Sequence, residues 1–440
     1  MKKFGFVFIL ILLLFFSLFD FSLSYAKIYI DIDSPSFRRF PIAIDYFTNL
    51  GTGNNKKDIS KEIYNILAQD LEISGLFNLI DPSLFLESAE DSEPGNDDKI
   101  NFKDWSIIGA EALIKGNFRY SGNYIEIEAK LYDVFQGQFI MGKKYTGELQ
   151  NLRKIIHRFS DEILLSFTGE RGVFDTKIAF FSNKSGHKEI YIMDFDGYNV
   201  IKVTNHKSIT VSVDWSTNGK KIAFTSYKNG NPDIFIKDLI TNKEKRISHR
   251  KGLNIAPAWS PDGKKLAVTL SIDGNSEIYL INNNGKRLKR LTNNWGIDVS
   301  PTWSPDGKEI AFVSNRSGYP NVYVMDSRGR NVRRLTFQTK YNVSPDWSPK
   351  GDKIAFTSLN EGRFHIYTIN SDGTNDRRLT ANSINNEDPS WSPNGRFITY
   401  TSTKGGKKSI YIMRANGSGQ KKLKVFSGEQ SNPCWSPRLR

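Results

Sequence analysis

Apolar and polar positions along the chain change their spacing several times, and each spacing predicts a different kind of element. Residues 4–19 form an apolar run broken only by Gly5 and Ser17. Residues 27–33 alternate, with Ile28, Ile30 and Ile32 on one side and Tyr29, Asp31 and Asp33 on the other, which reads as a strand. From Asp58 the spacing becomes helical, placing Ile59, Ile63, Ile66, Leu67 and Leu71 on one stripe, and Gly75 stands where such a helix stops. Short strands are expected over 41–47 and 77–80. A three-strand meander is expected over 112–120, 124–134 and 139–146, with turns at Gly122-Asn123 and Gln136-Gly137. Residues 87–98 are acidic and carry Pro94-Gly95, the pattern of an exposed loop. Leu152, Ile155, Ile156, Phe159, Ile163, Leu164 and Phe167 then return at helical spacing.

Beyond about residue 170 the pattern repeats. Trp303-Ser304-Pro305-Asp306-Gly307 has relatives at Trp215, Trp259, Trp347 and Trp391, with a truncated copy at Trp435, and successive tryptophans stand 44 residues apart. A period of ~40–45 residues is that of a four-stranded propeller blade. Each repeat has four apolar segments: the strand ending in tryptophan, an Ile-Ala-Phe-like strand, an Ile-Tyr-Ile-Met-Asp-like strand and an Arg-Leu-Thr-like strand. Short turns join the first three to their successors, and a longer link leads to the next tryptophan. The tryptophan strand is therefore expected innermost. Second strands and tryptophan strands both number six, but the two sets are offset by one repeat. This predicts a six-bladed ring in which the C-terminal strand completes the first blade and removes the open edges. The expected fold is thus an α/β N-terminal domain (27–170) followed by an all-β six-bladed β-propeller (171–440). In front stands a leader (1–26) whose Lys2-Lys3, apolar run and Ser24-Tyr25-Ala26 fit a cleaved secretory signal better than a retained anchor.

Charge and composition narrow the picture. The apolar share of 38% suits a globular protein with a sizeable core. The net charge of +14 is uneven: the repeat region holds 43 Lys and Arg against 23 Asp and Glu, while residues 27–170 hold 16 against 23. This basicity permits an acidic partner. However, the cations are scattered at hairpin turns, and no nucleic-acid signature accompanies them. The single cysteine, Cys434, allows no intrachain disulfide and reads as an inert core thiol.

Candidate chemistry is sparse. There is no nucleophile elbow, His-Glu-x-x-His pair or phosphate loop, and the five histidines occupy unrelated positions of the repeat. No catalytic residue, metal ligand or cofactor is expected. Polar residues do recur five positions before each tryptophan: Thr210, Asn254, Asp298, Asn342, Asn386 and Gln430. They lie in the loops feeding the inner strands, with Glu387, Asp388 and Asn432 nearby. Two readings stand for them: a polar ring at one mouth of the channel that hydrogen-bonds an inserted peptide, or side chains that cap their own loops. The strand at 27–33 is likewise either a segment that adds to a partner's sheet or an edge strand of its own domain.

The pairing of the repeat, typified by Trp303-Ser304-Pro305-Asp306-Gly307-Lys308, with an α/β domain containing Leu131-Tyr132-Asp133-Val134 resembles the TolB family, periplasmic components of the Tol–Pal envelope system. The resemblance extends over nearly the whole chain. It implies a monomeric, non-enzymatic periplasmic adaptor that reaches the membrane only through partners and supports envelope integrity and constriction at division. It further implies that the propeller mouth binds the lipoprotein Pal, near Asn254-Ile255-Ala256 and Val299-Ser300. The mature N-terminus, including Ile28, Ile30, Asp31, Ile32 and Asp33, would contact TolA. Bacteriocin peptides that exploit the family would enter the same mouth. An exported propeller enzyme or carbohydrate-binding module is the competing expectation.

Overall fold

The computed structural model describes residues 38–51, 59–85, 100–381, 383–423 and 427–439. The proposed leader, the alternating segment 27–33 and the acidic loop 87–98 lie outside these residues.

The N-terminal region builds one sheet from β1 (Phe40–Ile44), β2 (Thr48–Asn49), β3 (Phe77–Leu79), β4 (Ala112–Ser121), β5 (Tyr124–Asp133) and β6 (Gln138–Glu148), in the order β3-β1-β4-β5-β6. β1 pairs parallel with both β3 and β4, and β2 also pairs parallel with β4. β4, β5 and β6 form the expected antiparallel meander. Two helices, α1 (Ile59–Ser74) and α3 (Leu152–Thr168), cover one face. Their stripes, including Ile63, Leu67, Ile156 and Phe159, meet Ile42, Ile44, Ile127 and Leu131 in a single core. Because strand side chains alternate, Ala43, Leu113 and Tyr132 point to the other face. There Trp105 of the short helix α2 (Phe102–Ile107) covers them. The hydrophobic pattern gave no sign of α2, whose six residues are too few to show a period.

The repeat region forms six four-stranded sheets, each with the tryptophan strand innermost. The inner strands are Thr210–Trp215, Asn254–Trp259, Asp298–Trp303, Asn342–Trp347, Asn386–Trp391 and Gln430–Trp435. The last of these pairs with Lys177–Ser182, so C-terminal residues complete the first blade as the offset between strand sets requires. Counting from that blade, the inner strands at 210, 254, 298, 342 and 386 open blades 2 to 6. The tryptophans also stitch neighbours together: the indole N–H groups of Trp215, Trp303 and Trp391 donate to the carbonyls of Cys434, Ala258 and Asp346 in the preceding blades, at 3.0, 3.2 and 3.1 Å.

One rim of the ring carries the turns that follow each tryptophan, and the α/β domain sits there, on blades 1 and 6. The two regions share one apolar cluster, in which Phe159 and Phe167 join Phe195, Phe397, Ile412 and Trp435. Gly75, with φ of 71°, ends α1, and a Cβ there would lie 2.0 Å from Arg414 of blade 6. The glycine therefore serves both the helix stop and the inter-domain approach. Arg396 donates to Glu170, and Arg438 to the carbonyls of Arg171 and Gly172. The opposite rim carries the long links between blades and the hairpins between second and third strands. No helix among the described residues is long and apolar enough to cross a membrane.

Candidate functional site: the channel mouth

The recurrent polar residues are the first residues of the six inner strands, but their side chains are buried. Thr210, Asn254, Asp298, Asn342, Asn386 and Gln430 are all between 0 and 2% exposed. Four of them, Asn254, Asp298, Asn342 and Asn386, tie neighbouring loops together. Asn254 Oδ1 accepts from Ser248 Oγ at 2.6 Å and from the Arg250 amide at 3.0 Å, while its Nδ2 donates to the Arg250 and Gly252 carbonyls. Asp298 Oδ2 accepts from Asn294 Nδ2 and Arg316 Nη2, both at 2.7 Å. Asn342 Nδ2 donates to Asn321 Oδ1 and the Thr339 carbonyl, and Asn386 Nδ2 donates to the Ile384 carbonyl. An exposed polar ring is thus replaced by a capped one. These side chains set the shape of the mouth from behind.

The reason is a bulge. In blade 2, Val211 pairs with Thr225 and Asp214 with Ala223, so three steps along the inner strand match two along its neighbour. Blades 1, 3, 4, 5 and 6 carry the same irregularity. The extra residue resets the alternation of faces. Ser212, Ala256, Ser300, Ser344, Asp388 and Asn432, one from each inner strand, occupy the left-handed region with φ between 49° and 55°. All six are half-buried along the innermost strands. Outside glycine, such backbone costs ~1–2 kcal/mol per residue, and six equivalent positions share it. The bulge amides of Asp388 and Asn432 are satisfied by Thr357 Oγ1 and Thr401 Oγ1 of the preceding blades, both at 2.9 Å. Ala256, Ser300 and Asp388 are thus the expected site residues that the structure brings together at the channel. Ser212, Ser344 and Asn432 complete the ring, and the 44-residue period, read three residues before each tryptophan, would have found them.

The ring carries charge. Ser344 Oγ donates to Asp388 Oδ1 at 3.0 Å. Burial, with Glu387 beside it, lifts the Asp388 carboxyl to about 6, while Glu387 pairs with Lys408 at 2.9 Å. Two residues further along the strands, Asp214 and Asp346 stand on opposite sides of the ring, three blades apart. Asp214 accepts the amides of Trp215 and Trp259 at 2.9 and 2.6 Å, and Asp346 accepts that of Trp391 at 2.7 Å. Burial nevertheless pushes both carboxyls to about 7. Burial also drives the Cys434 thiol well upward, which fits an unreactive group. Among the described residues, no group of three His, Cys, Asp or Glu side chains is placed to hold a metal ion.

The left-handed ring yields a direct expectation. Ala256→Gly should keep or slightly raise stability, because glycine adopts that backbone freely. Ala256→Val should lower it by at least ~1–2 kcal/mol, since a β-branched residue is a severe outlier there. Urea unfolding midpoints of the two variants check this, and equal midpoints would contradict it.

Six blades closed by a C-terminal strand, with an α/β domain on one rim and a loop-walled mouth on the other, define a two-part β-propeller protein. Its sequence matches the model described as TolB amino-terminal domain over residues 28–140 and that described as TolB beta propeller domain over residues 165–439. The chain belongs to the TolB family. The Tol-Pal system protein TolB of Geobacter metallireducens is 46% identical over 192 residues, covering 44% of each chain. That of Syntrophotalea carbinolica is 42% identical over 192 residues, covering 43% of this chain and 44% of the relative. The chain thus matches less than half the length of these curated relatives. The crystal structure of TolB from Acinetobacter baumannii superposes with a TM-score of 0.78 at 30% identity, covering 91% of this chain and 97% of that one.

Proposed function

We propose that the protein is a periplasmic adaptor of the Tol–Pal system, binding Pal at the loop-walled mouth of its propeller and TolA through residues 27–33. In this reading it works by exchanging the two partners, without catalysis, and so supports outer-membrane integrity and constriction at division. Bacteriocin peptides would compete for the same mouth. The observation that carries the reading is the ring of six left-handed residues. Backbone strain repeated at one level of every blade keeps short side chains, serine, alanine, aspartate and asparagine, around an opening where an extended peptide can approach. The buried residues Asn254, Asp298, Asn342 and Asn386 act there by holding the loops.

Titration calorimetry with purified Pal tests this. Wild type should bind Pal, while Ser300→Arg and Asp388→Arg, which fill the mouth, should weaken binding at least tenfold without changing the thermal midpoint. Unchanged binding by both variants, or no binding by wild type, overturns the assignment. Deleting residues 27–33 should abolish TolA binding and leave the propeller's unfolding transition in place. Turnover of small substrates, or saturable sugar binding, by the wild type would favour the enzyme or carbohydrate-module alternative.

A further inference from the structure

The mouth rim is not uniform. Three large aromatic side chains stand in solvent around blade 4: Trp295 at 75% exposure, Tyr319 at 54% and Phe337 at 67%. Moving one repeat at a time, the position of Trp295 is held elsewhere by Lys207, Lys251, Thr339, Ser383 and Ser427. That of Tyr319 is held by His187, Asn231, Asn275, Arg363 and Lys407. The position of Phe337 is taken by Asn205, His249, Asn293, Ala381 and Val425 in other repeats. The repeat itself therefore asks for polar groups at the first two places and holds no other Phe, Tyr or Trp at the third, so blade architecture does not explain the aromatics.

The aromatics sit on adjoining loops of one rim. The Ile297 amide, two residues from Trp295, donates to Asn315 Oδ1 at 2.7 Å, tying that loop to the hairpin bearing Tyr319. The Asn342 amide donates to the Pro320 carbonyl at 2.8 Å, joining this hairpin to the loop that carries Phe337 and Tyr341. The Leu359 amide of blade 5 donates to the Tyr341 carbonyl at 2.9 Å, extending the band to the next hairpin. Ile297, Tyr341 and Leu359 are themselves partly exposed. Apart from Ile209 in the link before blade 2, the large exposed apolar side chains of this rim gather on these adjoining loops, and such a patch marks an interaction surface.

Its charge indicates the occupant. Lys340 Nζ lies 5.7 Å from the Tyr319 ring centre, and Arg334 stands over Phe337 at 4.7 Å. Among the described residues, exposed Lys340, Lys251 and Arg363 have no carboxylate partner. Aromatic anchors flanked by unneutralised cations complement an acidic polypeptide that also presents apolar side chains.

We infer that the aromatic band over blade 4 is the anchoring part of the partner interface, and that it takes an acidic protein surface bearing apolar side chains. The inference rests on the proposed reading of the mouth as a Pal-binding site. It adds that the anchor lies off the axis, on one side of the ring. Exposed aromatics of this kind are where binding energy concentrates once they are covered.

Trp295 supplies its own reporter, because the other seven tryptophans are buried or half-buried. In the full chain with Pal as titrant, the acrylamide-accessible part of the emission should be lost and the spectrum should shift to the blue. Trp295→Phe should remove that accessible part in the free protein. Trp295→Ala, Tyr319→Ala and Phe337→Ala combined should weaken Pal binding at least tenfold with an unchanged thermal midpoint. Raising salt should weaken wild-type binding through the cations. If wild type binds Pal and the triple variant binds equally well, the band is not the anchor, and the channel assignment survives alone. If soluble peptidoglycan fragments protect Trp295 while Pal does not, the acidic-polypeptide assignment is overturned in favour of a glycan. If wild type fails to bind Pal, both readings fall.

Discussion

Replacing Trp435 by alanine is expected to destabilise the protein by ~3–5 kcal/mol, the usual cost of deleting a large buried aromatic. Three different parts of the molecule meet at this side chain, which is 5% exposed. Its indole N–H donates to Thr176 Oγ1 at 2.8 Å, in the link between the α/β domain and the first blade. Its backbone amide donates to Ser390 Oγ of blade 6 at 3.0 Å, and its ring packs on Phe397 at 6.4 Å. Its own strand pairs with the first blade. Trp303→Ala, at the same place in the repeat but half-buried, should cost less. Urea unfolding of the two variants decides the matter, and equal losses would mean that ring closure gives Trp435 no special weight.

Asp196→Ala should be similarly severe, at ~3–5 kcal/mol, because it removes the anion of largely buried Arg153 and one of the two anions of buried His157. Asp196 belongs to a turn of blade 1, yet it accepts from Arg153 and lies 3.3 Å from His157 Nε2, both on α3. His157 Nδ1 lies 2.8 Å from Asp70 Oδ2 of α1. Two carboxylates thus share one imidazolium across the domain boundary. Burial pulls His157 down, but Asp70 and Asp196 outweigh it and raise the imidazole to about 10. Burial pushes Asp196 up, but His157 and Arg153 outweigh it and hold the carboxyl at about 2. Asp70, fully buried, is raised even though His157 pulls it back.

The signs give a pH window. The Asp196 contribution is present above its ordinary value near ~4 and is lost as pH falls through about 2. The His157 contribution is complete below its ordinary value near ~6.5 and is lost as pH rises through about 10. The gap in thermal midpoint between wild type and Asp196→Ala should therefore be widest between pH 4 and 6.5, and should narrow toward pH 10. A gap that stays constant from pH 5 to 10 would show that His157 is not held charged by the network.

The sequence carried the ring well because the ring is periodic. A 44-residue spacing sets blade count, strand order and the offset that demands closure, without reference to any single contact. The α/β elements with long amphipathic stripes, such as those holding Ile63 and Ile156, were equally visible. The inter-domain core was not. Phe195 and Phe397 do depart from the repeat, standing where other blades have Leu239, Asn283, Ser327, Ser371 and Ala415, or Lys177, Lys221, Lys265, Glu309 and Lys353, but an apolar departure does not by itself show that α1 and α3 are what covers blades 1 and 6. The mouth failed for a different reason. Counting from the tryptophans placed Asn254 and Asp298 correctly along their strands, but one bulge residue turned their side chains into the sheet. It left Ala256 and Ser300 at the channel, a place the period marks three residues before each tryptophan but whose exposure depends on the bulge. Trp295 and Phe337 lay in plain view as departures from the repeat, yet their exposure required knowing which rim each loop occupies.

The closing strand also has a timetable. Lys177 donates to Ser436 Oγ across 259 residues of chain. At a synthesis rate of ~5–20 residues per second, the first blade waits roughly 13–50 s for its innermost strand. Throughout that interval the inner edge of Lys177–Ser182 has unpaired backbone groups, open to any passing strand. Five blades can form and stack while the chain is still emerging, but the ring cannot shut until its last few residues arrive. The vulnerable period of this protein's biogenesis is thus fixed by its topology, and a factor that shields one short strand would be enough to protect it.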